Sequence, residues 1–154
     1  MLTLRYIAEY QFDYNVSRCL FPEDKHFLIQ RSLNTKKIRN VLTSGGELYL
    51  VLRAQDVLFS LTLLSGSVIK GCSKFPEYRV VIPKNLEEFI KNGRNVFSKH
   101  VIAVDNRIRA GDEVIVVNEN DELIAIGKAK LSGEEMMEYR RGMAVHVKRG
   151  VLDE

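Results

Sequence analysis

The sequence predicts an α+β protein, in which a small N-terminal α+β domain is followed by a small β barrel or curled sheet. Short runs that alternate apolar and polar residues, separated by glycine and asparagine turns, are typical of antiparallel strands. Few segments carry the wider apolar spacing of a helix. Glycine, serine and proline interrupt the pattern at residues 71–76, which predicts one domain over residues 1–73 and a second over residues 74–154.

The composition is that of a folded protein with a modest basic excess. Hydrophobic residues make up 45% and charged residues 28% of the 154 positions, which excludes an intrinsically disordered chain. The formal net charge is +3. Residues 1–73 contain 9 Lys and Arg against 6 Asp and Glu, whereas residues 74–154 contain 14 of each sign. A nucleic-acid site in the second half therefore requires its cations to cluster in space.

In the first half, the apolar spacing predicts a helix over residues 4–14, followed by an antiparallel meander. Gly45 and Gly46 lie between two alternating runs, which is a hairpin signal. Residues 65–67 predict a short helix or turn. The predicted strands cover residues 27–33, 38–42, 47–53 and 58–64.

The second half begins with a predicted strand over residues 79–82 and a predicted helix over residues 84–91 that turns Leu86, Phe89 and Ile90 inward. Gly93 follows this helix and suits the left-handed conformation in which helices often end. A single early helix among closely spaced strands favours a barrel over βαβ units. The remaining predicted strands cover residues 101–104, 113–117, 123–131 and 144–147.

The segment over residues 93–100 is the strongest candidate for a binding site. Phosphate oxygens bind Arg and Lys side chains, and unstacked RNA bases stack on rings or guanidinium planes. The competing interpretation is a solvated loop, and for Phe97 packing in the core is favoured. The segment combines a glycine, two cations, an amide, a ring and an imidazole, contributed by Gly93, Arg94, Asn95, Phe97, Lys99 and His100.

A second basic segment covers residues 140–150. Strand alternation places His146 and Lys148 on one face, beside a glycine. This arrangement is compatible with a track for phosphates and equally with an edge strand protected by charge. Earlier in the chain, Gly111 and Asp112 are predicted to form a turn in which the carboxylate binds backbone amides.

Catalysis finds little support in the sequence, and no catalytic residue, metal site or cofactor is predicted. No serine or cysteine lies in a nucleophile motif, and no glycine-rich phosphate loop follows a strand. Cys19 and Cys72 lie far apart without the companion ligands of a zinc site. No apolar run approaches the ~20 residues of a membrane span, and the first residues lack a signal-peptide cleavage site. We therefore expect a cytoplasmic protein that does not enter a membrane.

Residues 75–151 resemble a PUA domain. The resemblance is carried by five segments in the same order, at residues 78–91, 93–100, 111–114, 123–129 and 141–145. It implies a β pseudo-barrel that binds structured RNA, tRNA or guide RNA in particular. PUA domains commonly accompany an RNA-modifying enzyme.

Residues 9–12, 20–22, 38–41 and 58–61 resemble the domain that precedes PUA in archaeal tRNA-guanine transglycosylases and archaeosine synthases. The resemblance thus covers nearly the whole chain but only the C-terminal part of those enzymes, without the barrel that exchanges the base. One departure stands at residues 13–17, where the family tends to place glycines and this chain has Asp-Tyr-Asn-Val-Ser. The close backbone approach that those glycines allow is in doubt here.

In the transglycosylases the PUA domain holds the acceptor end of tRNA. The resemblance therefore implies a tRNA-binding module without catalysis, which presents tRNA or another structured RNA to a separately encoded catalytic subunit of the archaeosine pathway. Two alternatives stay open, a protein-binding accessory that no longer binds RNA and a stand-alone enzyme. The positions that match the RNA-binding segment are Gly93, Arg94, Asn95, Phe97, Lys99 and His100, with His146 on a neighbouring strand.

Overall fold

The computed structural model describes residues 1–153 and divides the chain into two compact units, Met1–Ser73 and a second unit that begins at Lys74. Both units combine helices with antiparallel strands, so the prediction of an α+β fold is confirmed. None of the helices in the described part of the chain is long and apolar enough to cross a membrane.

The first unit consists of three helices and one four-stranded antiparallel sheet with the strand order β1-β2-β3-β4. Each strand pairs with the next one along the chain, as the predicted meander requires. The elements are α1 (Leu2–Gln11), α2 (Tyr14–Leu20), β1 (Phe27–Arg31), β2 (Ile38–Thr43), β3 (Leu48–Leu52), β4 (Phe59–Leu61) and α3 (Leu63–Cys72).

Two boundaries in the first unit differ from the prediction because side chains cap the helices. The helix predicted over residues 4–14 is confirmed only as far as Gln11, where α1 ends. Asp13 accepts a hydrogen bond of 2.7 Å from the backbone N–H of Val16 and caps a second helix, α2. The strand predicted over residues 58–64 is too long. Thr62 and Ser65 form a capping box that begins α3 immediately after β4.

An aromatic cluster forms much of the core of the first unit. The rings of Phe27 and Tyr49 stack with centroids 5.1 Å apart, and Phe21 meets Phe27 edge to face at 5.3 Å. The Tyr49 hydroxyl donates to the carbonyl of Leu20 at 2.7 Å, and burial raises the pKa of Tyr49 above its ordinary value. The polar hydroxyl of Tyr49 is therefore satisfied inside this apolar core.

The second unit is a curled six-stranded sheet with the order β6-β10-β9-β8-β5-β7. Strands β5 and β8 pair in parallel, and the other neighbours pair antiparallel. The elements are β5 (Arg79–Val81), α4 (Glu87–Lys91), β6 (Val96–Phe97), β7 (Ala103–Val104), β8 (Glu113–Val117), β9 (Leu123–Ala129), α5 (Gly133–Glu138) and β10 (Met143–Gly150).

Strand β5 of this sheet begins with a buried charged residue, Arg79. The Arg79 side chain is 1% exposed, and its Nε and Nη2 atoms donate to the two carboxylate oxygens of Asp121 at 2.7 and 3.1 Å. Nη1 donates to the carbonyl of Glu77 at 2.8 Å. The paired geometry compensates the guanidinium for its loss of water.

The second unit contains one helix that was not predicted and one that is shorter than predicted. Helix α5 has only six residues and shows no helical apolar period, although its capping box of Ser132 and Glu135 was visible in the sequence. The helix predicted over residues 84–91 is a 3₁₀ turn at Lys84–Leu86 followed by α4. Because adjacent helical residues point about 100° apart, Ile90 is buried while Phe89 is 58% exposed, and its predicted inward position is wrong.

Candidate functional site

A cleft of about 340 Å³ opens in the second unit between the α4 region and β6. Four of the seven residues proposed from sequence line this cleft, namely Arg94, Asn95, Phe97 and His100. The other walls are apolar and consist of Ile82, Leu86, Phe89, Ile90 and Val96. The structure thus brings most of the predicted binding segment to one concave surface.

Gly93 ends helix α4 and turns the chain toward the cleft. Its φ angle is +95°, a conformation that favours glycine. The N–H of Gly93 donates to the carbonyl of Ile90 at 3.0 Å, and the N–H of Arg94 donates to that of Phe89 at 3.1 Å. A carboxylate oxygen of Asp153 lies 2.7 Å from the point where a Cβ on Gly93 would stand. Gly93 therefore serves the fold, and both amides are occupied.

Asn95 connects the cleft to the sheet. Its side-chain oxygen Oδ1 accepts a hydrogen bond of 2.9 Å from the backbone N–H of Val147 on β10. The next two residues form β6, where strand alternation places Val96 inside and Phe97 outside. The Phe97 ring is 46% exposed, so the expectation that it packs in the core is wrong.

The two cations of the segment carry unpaired charge. Over residues 1–153, neither Arg94 nor Lys99 forms an ion pair, and both side chains are exposed. Some cations of the second unit are neutralised locally: Lys91 pairs with Glu87 at 3.4 Å, and Arg107 pairs with Glu77 at 3.1 Å. The charges of Arg94 and Lys99 are not compensated in this way.

A short 3₁₀ helix, Ser98–His100, follows β6 and presents the last polar groups of the segment. The N–H of Ser98 donates to the carbonyl of Gly142 at 3.0 Å, which holds this helix against the start of β10. His100 lines the cleft, whereas Lys99 is exposed and is not part of the lining. Lys99 therefore adds an exposed charge next to His100 in the sequence.

The basic strand at the C-terminal end contributes less than its sequence indicates. His146 is exposed on β10 opposite Lys128 on β9, outside the cleft lining. Lys148 pairs with the buried carboxylate of Glu113 at 2.9 Å. Because the Lys148 charge is compensated, a phosphate track along β10 lacks one of the two basic groups on which its prediction depended.

Phe89 is the functional candidate that sequence reasoning missed. With Phe97 it gives the cleft two exposed aromatic rings next to a guanidinium and an imidazole. The sequence carried one partial signal: Phe89 and Ile90 are consecutive, so their side chains point about 100° apart on a helix, but the pattern did not say which of the two is exposed. Exposed aromatic rings can stack on unpaired bases, and an arginine side chain can bind phosphate or stack on a base in turn.

The structure offers little to a catalytic interpretation of this cleft. No group of three or more His, Cys, Asp or Glu side chains within the described residues is arranged to hold a metal ion. The pKa of Arg107 is raised by the nearby Asp105 carboxylate, and that ion pair lies outside the cleft lining. Binding groups rather than a nucleophile with its base dominate the cleft.

Two family models together match almost the whole chain. Residues 78–151 match the PUA domain, and residues 2–76 match the patch-forming domain C2 of tRNA-guanine transglycosylase. The cleft lies entirely within the segment that matches the PUA domain.

Curated relatives at high identity are archaeal tRNA-guanine(15) transglycosylases. The enzyme of Methanothermobacter thermautotrophicus is 41% identical over 147 residues, which are 96% of this chain and 22% of the relative. That of Methanocaldococcus jannaschii is 38% identical over 151 residues, 97% of this chain and 23% of the relative. The chain therefore spans about a fifth of the length of the relatives it matches.

Solved structures with the same fold also come from archaea. A hypothetical protein from Pyrococcus horikoshii matches with a TM-score of 0.77 at 22% identity, covering 99% of this chain and 90% of that one. A conserved PUA domain protein from Thermoplasma acidophilum matches with a TM-score of 0.64 at 19% identity, covering 99% and 89%. At these identities the likeness concerns the fold.

Proposed function

The chain belongs to the PUA-domain proteins that resemble the C-terminal part of archaeal tRNA-guanine transglycosylases, and from this premise we propose that it is a tRNA-binding module. The module binds structured RNA, tRNA in particular, and catalyses no base exchange itself. Its place is beside a tRNA-modifying enzyme, in the reaction that its relatives carry out.

The observation that carries this proposal is the cleft beside α4. Its two exposed rings, Phe89 and Phe97, supply stacking surfaces for an unpaired base. Arg94 and His100 supply hydrogen-bond donors in the same cleft, and Lys99 adds a free cation at its edge. A single-stranded RNA end needs both kinds of contact, because phosphate contacts position the strand and base contacts recognise it.

The relatives suggest a division of labour. They carry this two-domain region within chains of which it forms 22 to 23%, and they are named as enzymes. By the family resemblance, the barrel that exchanges the base lies outside the region matched here. We propose that a separately encoded catalytic chain of the archaeosine pathway performs the exchange on tRNA that this module holds.

Fluorescence anisotropy with a labelled tRNA tests the proposal, measured over a series of salt concentrations. We expect saturable binding whose log affinity falls linearly with log salt, by about 0.7 to 0.9 per phosphate contact. A parallel assay measures incorporation of labelled base into tRNA by the purified protein, and we expect none. Absence of tRNA binding would leave the protein-binding accessory as the better account, and base incorporation would establish a stand-alone enzyme.

A further inference from the structure

The first unit carries an open groove between helix α1 and the turn that joins β3 to β4, which we call the α1 groove. Its volume is about 340 Å³. Its walls are formed mainly by aromatic and aliphatic side chains, among them Tyr6, Ile7, Tyr10, Val57 and Leu58. The groove lies wholly within the C2-like domain and has no part in the cleft described above.

Helix α1 presents apolar side chains on two sides. Leu4 and Ala8 are fully buried in the core of the first unit. On the other side, Tyr6 is 61% and Tyr10 is 84% exposed, at the four-residue spacing that places side chains next to each other on a helix. A helix that only covers its own core has a polar outer side, so the exposed tyrosines call for another explanation.

The opposite wall of the groove is held in a conformation that valine rarely adopts. Val57 has a φ angle of +58°, in the left-handed region that β-branched residues avoid, and its side chain is 53% exposed. Its N–H donates to the carbonyl of Arg53 at 3.1 Å, which closes the turn. Glycine or asparagine would relieve the strain, yet the sequence places an apolar side chain there, facing the same groove as the tyrosines.

Charge determines which class of macromolecule fits the α1 groove. Asp56 is the one charged residue among those described as lining it, and an ion pair of 2.9 Å with Arg53 neutralises this carboxylate. An RNA strand requires cations for its phosphates, and none line the groove. Protein interfaces are enriched in tyrosine and poor in charge at their centre, so an uncharged, tyrosine-lined groove matches a protein surface.

We infer that the α1 groove docks a second protein through an uncharged apolar ridge, and that this protein is the catalytic chain proposed above. The inference rests on the proposed function. Relatives at 41 and 38% identity join this module to a much longer protein chain, so in them the module has a protein neighbour by covalent linkage. Under the proposed function the module is separate from the catalytic chain, so a surface has to replace the linkage, and the α1 groove supplies one.

The test uses the intact chain and a defined probe. The probe is the part of the Methanothermobacter thermautotrophicus tRNA-guanine(15) transglycosylase outside the matched region, purified as a folded chain with a cooperative melt. Isothermal titration calorimetry measures its binding to the parent protein and to Tyr10→Glu and Tyr6→Glu. The matched control is Leu33→Glu, which places the same charge at a 94% exposed apolar position in a turn of the same unit.

We expect saturable binding of the parent, a loss of at least ten-fold in Tyr10→Glu and Tyr6→Glu, and a change below two-fold in Leu33→Glu. The affinity for tRNA should stay unchanged in all three variants. Absence of probe binding, or an equal effect of all three substitutions, would overturn the inference. A fall in tRNA affinity in the tyrosine variants would overturn it as well, because the groove would then be an RNA surface. Failure of the parent to bind tRNA would instead count against the proposed function, so the two failures are distinguishable.

Discussion

The side-chain oxygen of Asn95 accepts a 2.9 Å hydrogen bond from the backbone N–H of Val147, across 52 positions of sequence. This bond fixes the segment between α4 and β6 to the longest strand of the second unit. Arg94 precedes Asn95 and Phe97 follows it by two residues, so the bond determines where both side chains stand in the cleft. Asn95 is thereby a positioning residue as well as a lining residue.

Two substitutions at Asn95 separate these roles. Asn95→Ala removes the acceptor, and we expect a loss of about 1 kcal/mol in the free energy of unfolding together with weaker tRNA binding. Asn95→Asp keeps an acceptor oxygen but adds a negative charge in the cleft. It should retain the stability of the parent and still bind tRNA less tightly. Urea unfolding and anisotropy titrations measure the two quantities, and parent-like tRNA binding by Asn95→Asp would argue against phosphate near this residue.

The buried pair of Arg79 and Asp121 predicts a large effect from a small change. Asp121→Asn keeps the shape of the side chain and tolerates the φ angle of +61°, but it removes the charge that compensates a guanidinium 1% exposed. We expect a loss of about 2 kcal/mol in unfolding free energy, moderated by the 31% exposure of the Asp121 side chain. Glu77→Gln, in a pair whose Arg107 side chain is 69% exposed, is the control and should cost less than about 1 kcal/mol. Equal losses of unfolding free energy in the two variants would show that the buried pair stabilises the fold no more than an exposed one.

Gly127 on β9 has no room for a side chain. A Cβ there would stand 2.8 Å from Cγ1 of Val145 and 3.0 Å from Cα of Val147. Gly127→Ala should therefore lower the midpoint of thermal unfolding, at a cost of about 2 kcal/mol from overpacking. Gly71→Ala is the matched control in helix α3, where no atom lies within 4 Å of the added methyl group, and it should be neutral or slightly stabilising. A stable Gly127→Ala variant would mean that β9 and β10 can separate without cost.

Tyr49 predicts how stability depends on alkaline pH. Burial is the main cause, and the nearby Cys72 and Cys19 the lesser causes, of a raised pKa of the Tyr49 hydroxyl in the folded state. In the unfolded chain the pKa of tyrosine stays at about 10. Below pH of about 10 both states keep the proton, so this contribution is constant. Above it the unfolded chain ionises first, and stability falls as pH rises. Tyr49→Phe should cost about 1 kcal/mol at neutral pH through the lost bond to Leu20 and should show a shallower decline above pH of about 10. Parallel declines in urea unfolding series would contradict this.

The strands of both sheets were predictable from the sequence, because apolar and polar residues alternate along them and turn residues separate them. The strands β2, β3 and β8 lie within one residue of the predicted ranges, because alternation and flanking turns mark them clearly. The positive φ of Gly93 was also predictable, since it follows a helical run and precedes a strand. The short helices α4 and α5 could not be delimited from the sequence, since five or six residues are too few for a helical period to stand out.

Part of the candidate cleft was visible in the sequence through its residue types. Arg94, Asn95, Phe97 and His100 were identified because cations, an amide and a ring occur together at a helix end. The exposure of Phe89 and Phe97 could not be predicted, because an aromatic ring is more often buried than exposed. Pairing of Lys148 with Glu113 was also beyond reach, since it joins strands 35 residues apart.

Arg94 and Lys99 are the cations on which the proposed tRNA site depends, and their substitution by alanine tests that site most directly. Tight tRNA binding should weaken in each variant by about 1 kcal/mol, and the slope of log affinity against log salt should flatten by about 0.7 to 0.9 for each lost phosphate contact. Lys36→Ala, in an exposed turn of the first unit, is the control and should bind as the parent does. If Arg94→Ala and Lys99→Ala, folded by circular dichroism, keep the parent affinity and the parent salt slope, the cleft is not the RNA site.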